Sequence, residues 1–106
     1  MTERSQFDRW IRDIEPFWDL PAGSLYRLRQ GDLDEAGIDS MIEVLRSIDI
    51  PEDVDLPKRF VSLIWFIPTS MEWQLERVIE HGGSADALRV KIQQVWNEVE
   101  RILGLP

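Results

Sequence analysis

The chain has no cysteine and only one histidine among its 106 residues. Without cysteine there is no disulfide and no thiolate chemistry, and nothing in the chain calls for an oxidising compartment. The histidine, His81, stands in the run Glu80-His81-Gly82-Gly83. Helix capping accounts for it there, because imidazole is favoured at the negative end of a helix and glycine just beyond. Long apolar runs are also missing. The longest covers residues 63–68, with Phe60 and Val61 just before it, far short of the roughly 20 residues that cross a bilayer. The polar opening Met1-Thr2-Glu3-Arg4-Ser5 does not match a signal peptide, so a cytoplasmic location is expected. No GxSxG elbow, P-loop, GxGxxG or HExxH occurs, and these carry the common nucleophile, nucleotide and zinc chemistries. Carboxylates are plentiful, but a catalytic one needs an apolar pocket to raise its pKa. Most here fall on predicted solvent faces or in a polar loop. The expectation is a protein that is not an enzyme and needs no cofactor.

Bases are nearly absent from one stretch. Residues 32–55 contain the acids Asp32, Asp34, Glu35, Asp39, Glu43, Asp49, Glu52, Asp53 and Asp55, with Arg46 as the only base. Residues 1–31 and 56–106 each balance their charges, so this segment holds the entire net charge of −8. Solubility alone does not require such clustering. Clustering has a cost too, since like charges four apart on a helix, such as Glu35 with Asp39 and Asp39 with Glu43, oppose it by a few tenths of a kcal/mol per pair. A concentrated field of one sign attracts partners of the other sign and speeds their encounter. The expected partner is therefore a basic protein. Direct contact with nucleic acid or anionic lipid is disfavoured, because both carry the same sign as the chain.

Apolar residues make up 43% and charged residues 30%, an ordinary balance for one globular domain of this length. Phe7, Trp10, Ile11, Ile14, Phe17 and Trp18 fall on one helical face, with Pro16 disturbing the repeat. Ser5 with Asp8 offers a cap at its start. Ser24 can cap a short helix that Gly31 ends. The pair Asp32 and Glu35 has capping-box spacing ahead of a helix lined by Met41, Val44, Leu45 and Ile48, with Gly37 as an awkward interior residue. Pro51 and Pro57 punctuate a loop, and Pro57 suits the first position of the next helix. Residues 58–67 are apolar nearly all round, and no second strand-like run exists to pair with them, so a buried central helix is expected. Thr69 with Glu72 repeats the capping spacing ahead of a helix to Glu80, with Met71, Leu75, Val78 and Ile79 facing in. A last helix is capped by Ser84 and ended by Gly104, with Leu88, Ile92, Val95, Trp96, Val99, Ile102 and Leu103 as its stripe. The reading is an all-α, compact, single-domain bundle of five or six short helices. The apolar segment sits at its centre, between the helices around residues 7–18 and 88–103.

Five tryptophans are many for this length. Trp10, Trp65 and Trp96 lie on helix stripes and are expected in the core. Trp18 and Trp73 are less well placed for burial, and an exposed tryptophan beside an acidic surface suits an interface anchor. Expected partner contacts are Asp32, Asp34, Glu35, Asp39 and Glu43 on the helix, Asp49, Glu52, Asp53 and Asp55 on the loop, and Trp73 as the apolar anchor, with Trp18 as the other candidate.

Two resemblances follow from these residues. Residues 32–43 resemble an EF-hand calcium loop: Asp32 and Asp34 stand at positions 1 and 3, Gly37 at 6, Ser40 at 9 and Glu43 at 12. Position 5 is Ala36, which offers no side-chain oxygen, and position 8 is the acidic Asp39. The resemblance would imply a calcium-binding or regulatory helical adaptor. In size, acidity and lack of cysteine, the whole chain resembles the immunity proteins of bacterial toxin–immunity systems, including those of contact-dependent inhibition. That resemblance implies a non-catalytic inhibitor that binds a cognate basic toxin domain, a nuclease, and needs no metal.

Overall fold

Phe7, Trp10, Ile14 and Trp18 recur every three or four residues, and they form the buried face of helix α1, Arg4–Asp19. The computed structural model describes residues 4–105; residues 1–3, most of the polar opening, and Pro106 lie outside them. Ser5 lies within α1 rather than capping it. Pro16 is also inside α1. The helix runs through it for one more turn, so the apolar repeat keeps its phase as far as Trp18. Trp18 is therefore buried, and its indole N–H donates to the Leu63 carbonyl at 2.9 Å. This corrects its reading as an exposed anchor.

Six further helices follow: α2 Ser24–Arg29, α3 Glu35–Arg46, α4 Lys58–Trp65, α5 Ile67–Glu72, α6 Leu75–Glu80 and α7 Ala85–Leu103. No strand occurs among the described residues, and the all-α bundle is borne out. The described residues form seven helices, because the segment from Thr69 to Glu80 is divided between two. The Trp73 N–H reaches back to Thr69 and the Gln74 N–H to Met71, which tightens and ends α5 before α6 begins. Pro68 sits in the first turn of α5, where its missing N–H costs nothing. It opens a helix, and Thr69 is interior rather than a cap. Pro57, placed at the first helical position by the sequence, is instead the extended residue just before α4. On α6 only Val78 is buried, and Ile79 faces out.

Helix α4 lies at the centre, against α1, α5 and α7. Phe60 is fully buried and meets Phe7 edge-on at 5.1 Å between ring centroids. Burial is one-sided, however. Trp65 follows buried Ile64 by a rotation of about 100°, and it is 52% exposed. The expectation that it belonged to the core fails for that reason. Trp96 is half-buried, its N–H donating to Glu72 Oε1 at 3.3 Å.

Two glycines have steric reasons. Gly31 ends α2 with φ +84, and a side chain there would strike the His81 ring. Gly37 belongs to the start of α3. The cap is Asp34 rather than Asp32: Asp34 Oδ1 accepts the Gly37 N–H at 3.1 Å. A Cβ at 37 would lie 2.2 Å from Asp34 Oδ2. The helix propensity lost at glycine is about 1 kcal/mol, and the cap returns a similar amount. Ser24, read as a cap, is the first residue of α2, and its buried hydroxyl has no hydrogen-bond partner.

Helices α3 and α7 run parallel. Asp39 pairs with Lys91 and Arg46 with Glu98, so the contact advances in step along both. Ile38, Met41, Ile42, Leu45 and Ile48 on one side and Leu88, Ile92, Val95 and Val99 on the other all belong to the buried core that these two helices share. That packing sets where the acidic segment lies.

Candidate functional site

The acidic segment folds into two parts with different chemistry. Its first part is α3 and the turn before it. Asp32 Oδ2 accepts from Arg27 Nε at 2.6 Å, and Asp34 Oδ2 from Arg27 Nη1 at 2.9 Å. This double contact, with the Asp32 hydrogen bond as the largest cause, raises the Arg27 pKa above its ordinary value. Asp39 Oδ1 accepts from Lys91 Nζ at 2.6 Å. Glu43 Oε1 accepts from Arg46 Nη1 at 2.6 Å. Glu35 is exposed in the first turn of α3, where a negative charge suits the helix dipole. Four of the five acids in this part are thus engaged inside the molecule.

The same contacts bear on the calcium-loop resemblance. Residues 35–43 are regular helix rather than loop. Asp32 and Asp34 turn to Arg27, and Glu43 turns to Arg46, so these carboxylates do not converge. Among the described residues, no group of three or more His, Asp or Glu side chains is placed to hold a metal ion.

The second part is the loop after α3. Asp49, Glu52, Asp53 and Asp55 are all exposed, and none takes part in an ion pair among the described residues. No base interrupts them from residue 49 to residue 55. Between them Ile50, Val54 and Leu56 are half-buried and pack on the core. Apolar residues pin the loop and the acids are left on the outside. The Val54 N–H closes a turn on the Pro51 carbonyl at 3.2 Å.

Arg101 anchors the loop where it leaves α3. Its guanidinium donates to the Ile48 carbonyl at 2.8 Å and to the Leu45 carbonyl at 2.9 Å. Its Nε donates to Glu98 Oε1 at 3.0 Å. One side chain of α7 thereby ties down two carbonyls at and just beyond the end of α3, where backbone acceptors lack helical partners; the Leu45 carbonyl also accepts the Ile48 N–H at 3.1 Å. Arg101, Ile102 and Leu103 also wall a cleft of about 310 Å³ with Ile50, Glu52 and Val54. This role is not legible in the sequence, because Arg101 lies 53 residues from Ile48.

Trp73 stands elsewhere. It is 68% exposed at the end of α5, a helix that packs on α7, α2 and α4. Its ring meets Phe66 edge-on at 5.1 Å, and Trp65 meets the same Phe66 at 5.2 Å in a tilted arrangement. Buried Trp18 stacks beneath Phe66 at 6.4 Å, with Arg29 over the Trp18 ring at 5.1 Å. This aromatic ridge sits at the far end of α1 from the acidic loop. Phe7, near the start of α1, lines a cleft with Val54, Asp55 and Leu56, whereas Trp18, near its end, meets Phe66. At 1.5 Å per residue the separation along α1 is about 16 Å.

His81 is explained by its helix end. Its Nδ1 lies 2.8 Å from the Arg77 carbonyl at the close of α6. No helix among the described residues is long and apolar enough to cross a membrane. Compared with known protein families, with curated proteins and with solved structures, the chain has no match.

Proposed function

We propose that the chain is a non-catalytic inhibitor of the immunity type, acting in the cytoplasm. It neutralises a basic toxin domain, a nuclease, by offering carboxylates where the phosphate backbone would bind. One observation carries this reading. The four acids of residues 49–55 are exposed and without ion pairs among the described residues, while most acids of the preceding part are already paired. Paired acids have little charge left to offer. Unpaired ones on a pinned loop meet arginine or lysine at little reorganisation cost and steer its approach. The loop acids therefore form the leading contact, and Glu35 extends the field along α3. Asp32, Asp34, Asp39 and Glu43 join the contact only where a partner base can share them with Arg27, Lys91 or Arg46.

The test begins with the neighbouring genes: the proposal expects one of them to encode a toxin domain, and that domain is the probe. Association is followed by stopped-flow tryptophan fluorescence, and protection by a nuclease assay. Changing Asp49, Glu52, Asp53 and Asp55 together to Lys is expected to lower the association rate at low salt at least about tenfold, with the fold intact. An unchanged rate, or full nuclease activity in the presence of the unaltered chain, defeats the proposal.

A further inference from the structure

We propose that the aromatic ridge is a self-association surface, and that it joins two copies of this chain as a two-fold dimer with the acidic loops directed outward. An isologous contact requires one patch to carry both a projection and a recess that receives it. This patch has both. The projection is the indole pair of Trp65 and Trp73, 52% and 68% exposed. The recess is a cleft of about 240 Å³ floored by Trp18, Leu63 and Phe66. Projection and recess share Phe66, which touches both indoles and lines the cleft, so they are neighbours on the surface.

The size and chemistry of the recess fit an indole. Its volume is below the roughly 300–1,000 Å³ of small-molecule sites, and suits a single large side chain. Arg29 and Arg59 stand at its rim. Guanidinium groups over an indole face are attracted by its quadrupole, and Arg29 already adopts that position over Trp18.

Charge favours a second copy here. Arg59 is paired with Glu15 at 2.7 Å, and Asp19 lies at the same rim as Arg29. The surround is balanced, so like copies meet without local repulsion. The acidic loop meets the other end of α1, where Asp55 shares a cleft with Phe7, and the span from Phe7 to Trp18 is about 16 Å, beyond the roughly 8–10 Å over which salt screens exposed charge. Area sets the strength. The two indoles expose roughly 300 Å² per copy, less than half of the roughly 800 Å² per partner in a standard interface. The dimer is accordingly reversible and concentration-dependent.

Sedimentation equilibrium of the whole chain, over a wide concentration range and at low and high salt, tests this. A reversible dimer is expected, unchanged or tightened by salt, because salt screens the repulsion between two anionic chains. Trp65→Ala with Trp73→Ala is expected to weaken it at least about thirtyfold, the range of an interface hot spot. Arg29→Glu gives a second variant that spares the indoles and is expected to weaken it too. Reversing the four loop acids is expected to leave the dimer in place, which separates this surface from the toxin contact. A chain monomeric at every concentration overturns the proposal. So does a dimer that dissociates with salt, or one that survives both the tryptophan and the arginine changes while circular dichroism shows the fold kept.

Discussion

The two parts of the acidic segment are adjacent in the chain and equal in net charge, five acids less Arg46 in the first and four acids in the second, yet they differ in what the fold leaves them free to do. Residues 32–46 lie along α3 or just before it, and Arg27, Lys91 and Arg46 absorb most of their charge. Residues 49–55 lie on a loop with no base within it. The first part uses carboxylates to tie α2, α3 and α7 together. The second leaves them for something outside. A run of like charges read from a sequence is therefore not yet a surface; the surface is what remains after neighbouring helices have taken their share.

The comparison can be broken from either side, and the largest effect is expected in the core beneath α3. Leu45 is fully buried in the α3–α7 packing, while Val54 is half-buried under the loop. Leu45→Ala is expected to lower stability by about 3 kcal/mol, and Val54→Ala by roughly 1 kcal/mol or less. Urea denaturation checks both, and equal losses would remove the distinction. Next comes Arg101, which bridges the two parts through the Leu45 and Ile48 carbonyls. Its side chain is partly exposed, so Arg101→Ala is expected to cost about 1–2 kcal/mol. Amide exchange should accelerate in residues 49–56 more than in α1.

Asp34→Ala removes both the cap of α3 and one partner of Arg27, and a loss of about 1 kcal/mol is expected. Asp53→Asn, on the loop, should change stability by less than about 0.5 kcal/mol. A difference between these two in thermal melts sharpens the contrast, and a similar loss in both would erase it. The smallest effect is the salt response. Asp39 and Lys91 lie partly shielded between α3 and α7, with Lys91 largely covered. Asp39→Asn is expected to cost a few tenths of a kcal/mol and to keep most of that cost in high salt, whereas no loop acid has such a pair to lose.

Much of the bundle was legible because helix periodicity is a local property. The stripe of α7, its Ser84 cap and its Gly104 stop all hold, and each needs only residues within a few positions of the others. Misreadings arose where a neighbour remote in sequence decided the matter. On sequence alone Trp18 is less well placed for burial than Trp10, yet the Leu63 carbonyl receives its indole N–H in the core. Trp65 was placed inside because its segment is apolar all round, yet α4 is only eight residues long and covered on one side. The site followed the same rule. All nine acids were visible as a charge run, but the partners of Asp32, Asp34 and Asp39 lie on α2 and α7.

By itself, then, the sequence determined an all-helical chain and a single stretch of concentrated negative charge, since periodicity and composition are properties of neighbours along the backbone. Only the tertiary structure decided which carboxylates remain unpaired and which tryptophans reach the surface. The reason is physical: an ion pair or a buried ring depends on distances between helices, and those are set by how α1, α3, α4 and α7 pack together.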